Sequence, residues 1–137
     1  MTSYGKLNLL ALIGMPVAAA LAVAITPALD KPYAATYLTV FVMNLVPMLI
    51  GAAATGLLLR GTRKAGGAGS GIALWPSLGT AIIGALWYLG RAVVPDPIAP
   101  GVEYIAAPQD LLLLVIALWV VAWIVIRIGR ARQAAQA

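Results

Sequence analysis

Cysteine and histidine are both absent from this 137-residue chain. Without Cys, the chain alone can build no disulfide, thiolate nucleophile, Fe–S ligation or c-type haem attachment. Without His it lacks the commonest metal ligand and the commonest general acid–base. Acidic residues are scarce as well: Asp30, Asp96, Glu103 and Asp110 are the whole set. Asp96, Glu103 and Asp110 offer oxygen ligands of the kind a divalent cation takes. The plainer expectation is that they are solvated charges at a loop, with Asp110 capping a helix. No catalytic residue, metal or cofactor is therefore expected, and a non-enzymatic role follows.

The next absence is of charge over long runs. Residues 7–29, 32–59, 65–90 and 111–126 carry none. With 63% hydrophobic residues, 9% charged and a mean hydropathy of +0.99, the chain lies far from the soluble average of about 45–50% apolar and about 25% charged. A chain of this size has too little interior to hide that apolar surface from water, so lipid must be its solvent. The first run is too long for the apolar core of a signal peptide, and further runs follow it.

A hydrocarbon layer of about 30 Å needs about 20 apolar helical residues. The expected fold class is thus an all-α integral membrane protein: four transmembrane helices in a compact bundle forming one domain, 1–137. The spans are expected at about 8–28, 37–59, 72–90 and 110–128. The uncharged part of the last, 111–126, is only about 24 Å long at helical rise, so Arg127 is expected to snorkel, its head reaching the interface. The tail beyond it, rich in Ala, Arg and Gln, continues the helix.

Orientation comes from the basic residues. Lys6, Arg60, Arg63, Lys64, Arg127, Arg130 and Arg132 fall on one side of the four-span arrangement, and only Lys31 and Arg91 on the other, with all four acids. The positive-inside rule then places the N-terminus and C-terminus in the cytoplasm. A bacterial inner membrane is the expected location. The net charge of +5 and pI near 10.0 reflect this cytoplasmic excess, and no nucleic-acid module is present. Arg60, Arg63, Lys64, Arg127, Arg130 and Arg132 are expected to meet anionic lipid headgroups. Tyr33, Tyr37, Trp87, Tyr88 and Tyr104 read as an outer aromatic belt, Trp75 as an inner anchor; Trp119 and Trp123 lie deep in the fourth span.

Two connections differ. The basic, Gly-rich segment 60–71 reads as a flexible cytoplasmic linker. The outer loop 91–109 holds four prolines, Pro95, Pro97, Pro100 and Pro108, which favour extended or turn backbone; a flap over the bundle is its expected role.

Within the spans, small residues at spacing of four mark helix–helix contacts. These are Gly14, Ala18 and Ala22 in the first span; Gly51 with Thr55 and Ala52 with Gly56 in the second; and Thr80 with Gly84 in the third. They predict tight packing of the first three helices, with the bulky fourth held by large side chains or turned toward lipid or another protein. Thr26, Thr39, Thr55 and Thr80 are expected to bond to their own helices. Pro16, Pro47 and Pro76 each free a carbonyl one turn earlier. Asn44, just before Pro47, together with Ser77 beside Pro76, forms a possible polar intramembrane site; the simpler reading is that Asn44 satisfies a freed carbonyl or a neighbouring helix.

No span contains a charge, whereas ion-coupled transporters and proton relays place ionisable groups there. The first expectation is an accessory or assembly subunit of a larger membrane complex, partnered by the lipid bilayer and by other membrane-protein subunits. The alternative is a small homo-oligomeric channel or transporter subunit for a neutral or lipid-like solute, built by self-association. A holin-like, membrane-perturbing protein ranks behind both.

Overall fold

The computed structural model describes residues 3–26, 34–94 and 103–136, and these residues are helical or in tight turns throughout. Chain order gives α1 (Ser3–Ile25), α2 (Ala34–Lys64), α3 (Ser70–Ala73), a π-helical segment (Trp75–Gly79), α4 (Thr80–Val93) and α5 (Glu103–Gln136). Three helices, Ser3–Ile25, Thr36–Lys64 and Ala106–Gln136, are long and apolar enough to cross a membrane. The third apolar stretch of the sequence is helical too, over 70–93, but its path is broken into pieces at Pro76. Proline has no N–H to donate and crowds the preceding turn, and here the backbone relaxes into one wide π turn instead of bending out of helix.

Helices α1, α2 and α5 outrun the expected spans at one or both ends; at the ends of α2 and α5, Lys, Arg, Ala and Gln are residues that sustain a helix. The largest difference is at α5. It begins at Glu103, not at Asp110, so Asp110 is an interior helical residue and not an N-cap. The Pro-rich loop is shortened accordingly; residues 95–102, with Pro95, Asp96, Pro97 and Pro100, lie outside the described residues, as do 27–33 with Asp30, Lys31 and Tyr33. The basic, Gly-rich segment also differs from the expected flexible linker. Helix α2 runs on to Lys64 and ends in a Schellman turn: the Gly67 N–H reaches the Thr62 carbonyl at 2.8 Å and the Gly66 N–H that of Arg63 at 3.2 Å. Gly66, Gly67 and Gly69 have φ of 80°, 89° and 85°, a left-handed backbone that only glycine adopts cheaply.

Helix α2 is the hub. It lies against α1, α5, α3 and the π segment, while α1 also packs along α4. Helix α5 buries Tyr104, Ala107, Leu111, Val115, Ala122 and Ile126, one stripe at three- and four-residue spacing. The opposite surfaces of α1, α2 and α5 are apolar and exposed, for example Leu10, Leu38 and Leu113. In water such a shell would be an aggregation hazard. In lipid it is the natural exterior.

The small residues divide into two groups. Ala18, Ala22, Gly51, Thr55, Thr80 and Gly84 are buried, and Ala52 is half-buried. A Cβ on Gly51 would lie 3.0 Å from the Pro76 carbonyl oxygen, so the π turn seats against bare α2 backbone. One on Gly84 would lie 2.9 Å from Met15 Cε and 3.1 Å from Leu111 Cδ2, where α1, α4 and α5 meet. Gly14 and Gly56 carry no close approach: nothing lies within 4 Å of the Cβ either would bear. Residues four apart advance about 40° around a helix at each step, so Gly14 drifts off the face that Ala18 and Ala22 share.

Candidate functional site

Nearly all side-chain polarity at membrane depth is turned inward, and it joins helices. Asn44 is completely buried on α2. Its Nδ2 donates to the Val40 carbonyl at 2.8 Å and to the Tyr88 hydroxyl at 2.9 Å. Tyr88, also fully buried, donates in turn to the Tyr104 carbonyl at 3.0 Å. That carbonyl is available for a local reason: Pro108, four residues on, has no N–H with which to occupy it.

The Tyr104 hydroxyl lies 2.8 Å from Thr26 Oγ1, and Thr26 donates to the Ala22 carbonyl at 2.6 Å. A threonine hydroxyl has one proton, so Tyr104 must be the donor to Thr26. One buried network therefore ties the end of α1, the first third of α2, the end of α4 and the start of α5. Trp87 closes it, packing edge-on to Tyr88 and Tyr104 with ring centroids 5.1 and 6.1 Å away.

Ser77 does not join this network. It belongs to a second contact, in which Thr55 Oγ1 donates to Ser77 Oγ at 3.0 Å and receives the Ser77 N–H at 3.3 Å. A third sits at the α2–α3 turn, where Ser70 Oγ lies 3.2 Å from Thr62 Oγ1 and 2.8 Å from the Gly67 carbonyl. The pairs Asn44–Tyr88, Thr55–Ser77 and Thr62–Ser70 share one antiparallel register, since the two residue numbers of each add to 132. Along α2 they are separated by 11 and 7 residues, close to three and two whole helical turns. They form a single polar seam.

Several expectations change here. Asn44 and Ser77 are not one site; they are separate contacts on the same seam. Pro47 is buried beside Asn44, but Asn44 bonds to Val40 and to a neighbouring helix, not to the Met43 carbonyl that Pro47 frees. Thr26 bonds back to its own helix as expected. Thr55 bonds across to Ser77, and Thr80 Oγ1 is buried with no partner among the described residues. Tyr88 and Tyr104 are interior residues and not part of an interfacial belt: their exposures are 0% and 2%. Two sequence signals pointed to them, Pro108 four residues after Tyr104 and the common register of Asn44 and Tyr88 with Thr55 and Ser77.

The seam has little spare chemistry. Both protons of the Asn44 amide and the protons of Tyr88, Tyr104 and Thr26 are committed. The unmatched buried atoms of these and nearby residues are Asn44 Oδ1, Thr80 Oγ1 and Asn8 Oδ1; Asn8 Nδ2 already donates from α1 to the Ala52 carbonyl at 3.1 Å. Among the described residues, no three His, Cys, Asp or Glu side chains gather as metal ligands.

At the basic end the bundle is different. A groove of about 840 Å³ opens between α2 and α5, floored by Leu57, Leu58 and Gly61 and walled by Trp119, Trp123, Ile126, Arg127 and Arg130. The Arg127 guanidinium lies 4.9 Å from the Trp123 ring centroid. It is folded back over the aromatic face instead of extending outward, because helical side chains lean toward the N-terminus of their helix. Arg60, Arg63, Lys64 and Arg132 are exposed on the same end.

No family model matches this chain, and neither curated proteins nor solved structures yield a significant match.

Proposed function

We propose that this chain crosses the membrane four times, with 70–93 as the third crossing and both termini cytoplasmic, and that it is a non-enzymatic accessory or assembly subunit of a larger complex in a bacterial inner membrane. The carrying observation is the commitment of its intramembrane polarity. Asn44, Tyr88, Tyr104, Thr26, Thr55 and Ser77 bond to one another or to backbone. With the donors of these six residues committed, the unit presents an apolar shell, and shape is what such a shell offers to a partner. Association in lipid runs on packing and a few hydrogen bonds, for which the ridged outer face of α5 (Leu113, Ile116, Val120, Ile124) is suited.

Purification from the native membrane in mild detergent at endogenous expression, read by native mass spectrometry, tests this. A stoichiometric larger membrane partner is expected. Recovery of the chain only as itself would overturn the reading.

A second reading, a homo-oligomeric channel or transporter subunit for a neutral or lipid-like solute, draws on two unmatched buried groups, the acceptor Asn44 Oδ1 and the Thr80 hydroxyl. Buried polar atoms without partners are costly and attract a ligand or water. Asn44→Leu should then alter solute flux in reconstituted vesicles; unchanged flux removes this reading.

A further inference from the structure

The groove between α2 and α5 is amphipathic along its length. Its deeper part is aromatic and aliphatic, from Trp119, Trp123 and Leu57, and its shallow part carries Arg127 and Arg130. Arg127 follows an uncharged run of only 16 residues, 111–126, about 24 Å of helix against a hydrocarbon layer of about 30 Å. So short a run keeps Arg127 close to the hydrocarbon edge, where a lipid phosphate can meet its folded-back head. With one face over Trp123, the guanidinium keeps its in-plane N–H donors free, the arrangement that binds phosphate oxygens in pairs.

Arg130 reaches over α2 where Gly61 has no side chain; its Nη2 would be 3.6 Å from a Cβ there. Its Nε is shielded from solvent with no hydrogen-bond partner. That shielded donor lacks an acceptor, which an anion's oxygen would supply.

Among the described residues, no carboxylate side chain comes near it. The chain's four acids all lie at or before residue 110, and Asp110 is 17 residues before Arg127 on the same helix, about 25 Å away along the axis. A second copy in the same orientation would bring its own arginines to this level. The volume of about 840 Å³ falls within the range of about 300–1,000 Å³ of small-molecule sites.

We propose that this groove binds one anionic phospholipid, its phosphate held by Arg127 and Arg130 and its acyl chains lying along Trp119, Trp123 and Leu57. The site is narrower than a general attraction of the basic end for anionic headgroups: Arg60, Arg63 and Arg132 stand outside the groove and contribute only diffuse charge. It is independent of the partner reading, because a lone chain carries the whole groove.

The test is native mass spectrometry of the full chain in mild detergent, titrated with phosphatidylglycerol or phosphatidylcholine. One phosphatidylglycerol per chain should be retained in preference to phosphatidylcholine. Arg127→Gln with Arg130→Gln should weaken that retention about tenfold, and Arg60→Gln with Arg63→Gln less than about twofold. Equal retention of the two lipids, or equal losses from the two pairs of substitutions, would overturn the site. So would a dimer that holds no lipid and comes apart when Arg127 and Arg130 are replaced.

A measurement on the unaltered protein guards against misfolded variants. In phosphatidylcholine vesicles, a small fraction of bromine-labelled phosphatidylglycerol should quench tryptophan fluorescence more than the same fraction of bromine-labelled phosphatidylcholine. Equal quenching counts against the proposal as decisively.

Discussion

The two ends of this bundle are held together by different physics. At the end where α1 and α4 finish and α5 begins, side chains of four elements converge on Tyr88 and Tyr104, and Gly84 lets Met15 and Leu111 close over it. At the basic end, α2 and α5 separate around an open groove, and connection is left to a Schellman turn, the Thr62–Ser70 hydroxyl pair and a small apolar cluster of Leu58, Ala73, Ala122 and Ile126. In lipid, apolar contact gives helices little reason to prefer one another over acyl chains. Glycines and paired polar groups make one end specific; arginines and indoles make the other receptive.

The sharpest way to break this comparison is to make one change at both ends. Gly84→Ala puts its Cβ 2.9 Å from Met15 Cε and 3.1 Å from Leu111 Cδ2; both are side-chain tips that can shift, so the cost falls at the lower end of the about 1–3 kcal/mol of overpacking. Gly61→Ala meets Arg130 Nη2 at an ordinary 3.6 Å and should be within about 0.5 kcal/mol of neutral. Unfolding in mixed micelles on titration with SDS measures both. Equal effects would mean that the two ends are packed alike.

Tyr88→Phe comes next. It removes one hydroxyl but strands two partners, an Asn44 N–H and the Tyr104 carbonyl; a buried polar group left without a partner costs about 1–3 kcal/mol. The same titration should show a loss of about 2 kcal/mol. A loss below about 0.5 kcal/mol would mean that water or lipid reaches the network.

Gly66→Ala tests the basic end in its own terms. At φ of 80° a Cβ is strained, and the turn should lose about 1 kcal/mol. Hydrogen exchange should then quicken at the Gly66 and Gly67 amides, with the Tyr88 network unchanged. Thr55→Val is the mildest change: it deletes one link of the seam, for which interhelical hydrogen bonds in membranes average about 0.6 kcal/mol.

Much of the architecture was legible from charge. The gaps between Lys and Arg outlined the helical segments, because a charged side chain at bilayer depth costs several kcal/mol and an uncharged run of this length has few other homes. The failures came where one residue answers to a distant one. Tyr104 read as a belt residue and Asp110 as a helix start. Pro108 argues against a helix locally, and the loss of its hydrogen bond is made good only by Tyr88, 20 residues earlier. Gly14 and Gly51 look alike in sequence, yet the π turn at Pro76 makes Gly51 a contact and leaves Gly14 open.

The sequence by itself determined that this chain is helical, that lipid is the solvent for its exterior, which residues make one end basic, and which catalytic chemistries the chain cannot supply from its own side chains. These follow from transfer free energies and residue inventories, which do not depend on neighbours. Only the tertiary structure decided which glycines are contacts, that Asn44 and Ser77 serve separate links of one seam, that two tyrosines are interior, and that Arg127 and Arg130 share a groove with two tryptophans. Those depend on helix rotation and register, which are set by the sum of many weak, paired contacts and by no residue alone.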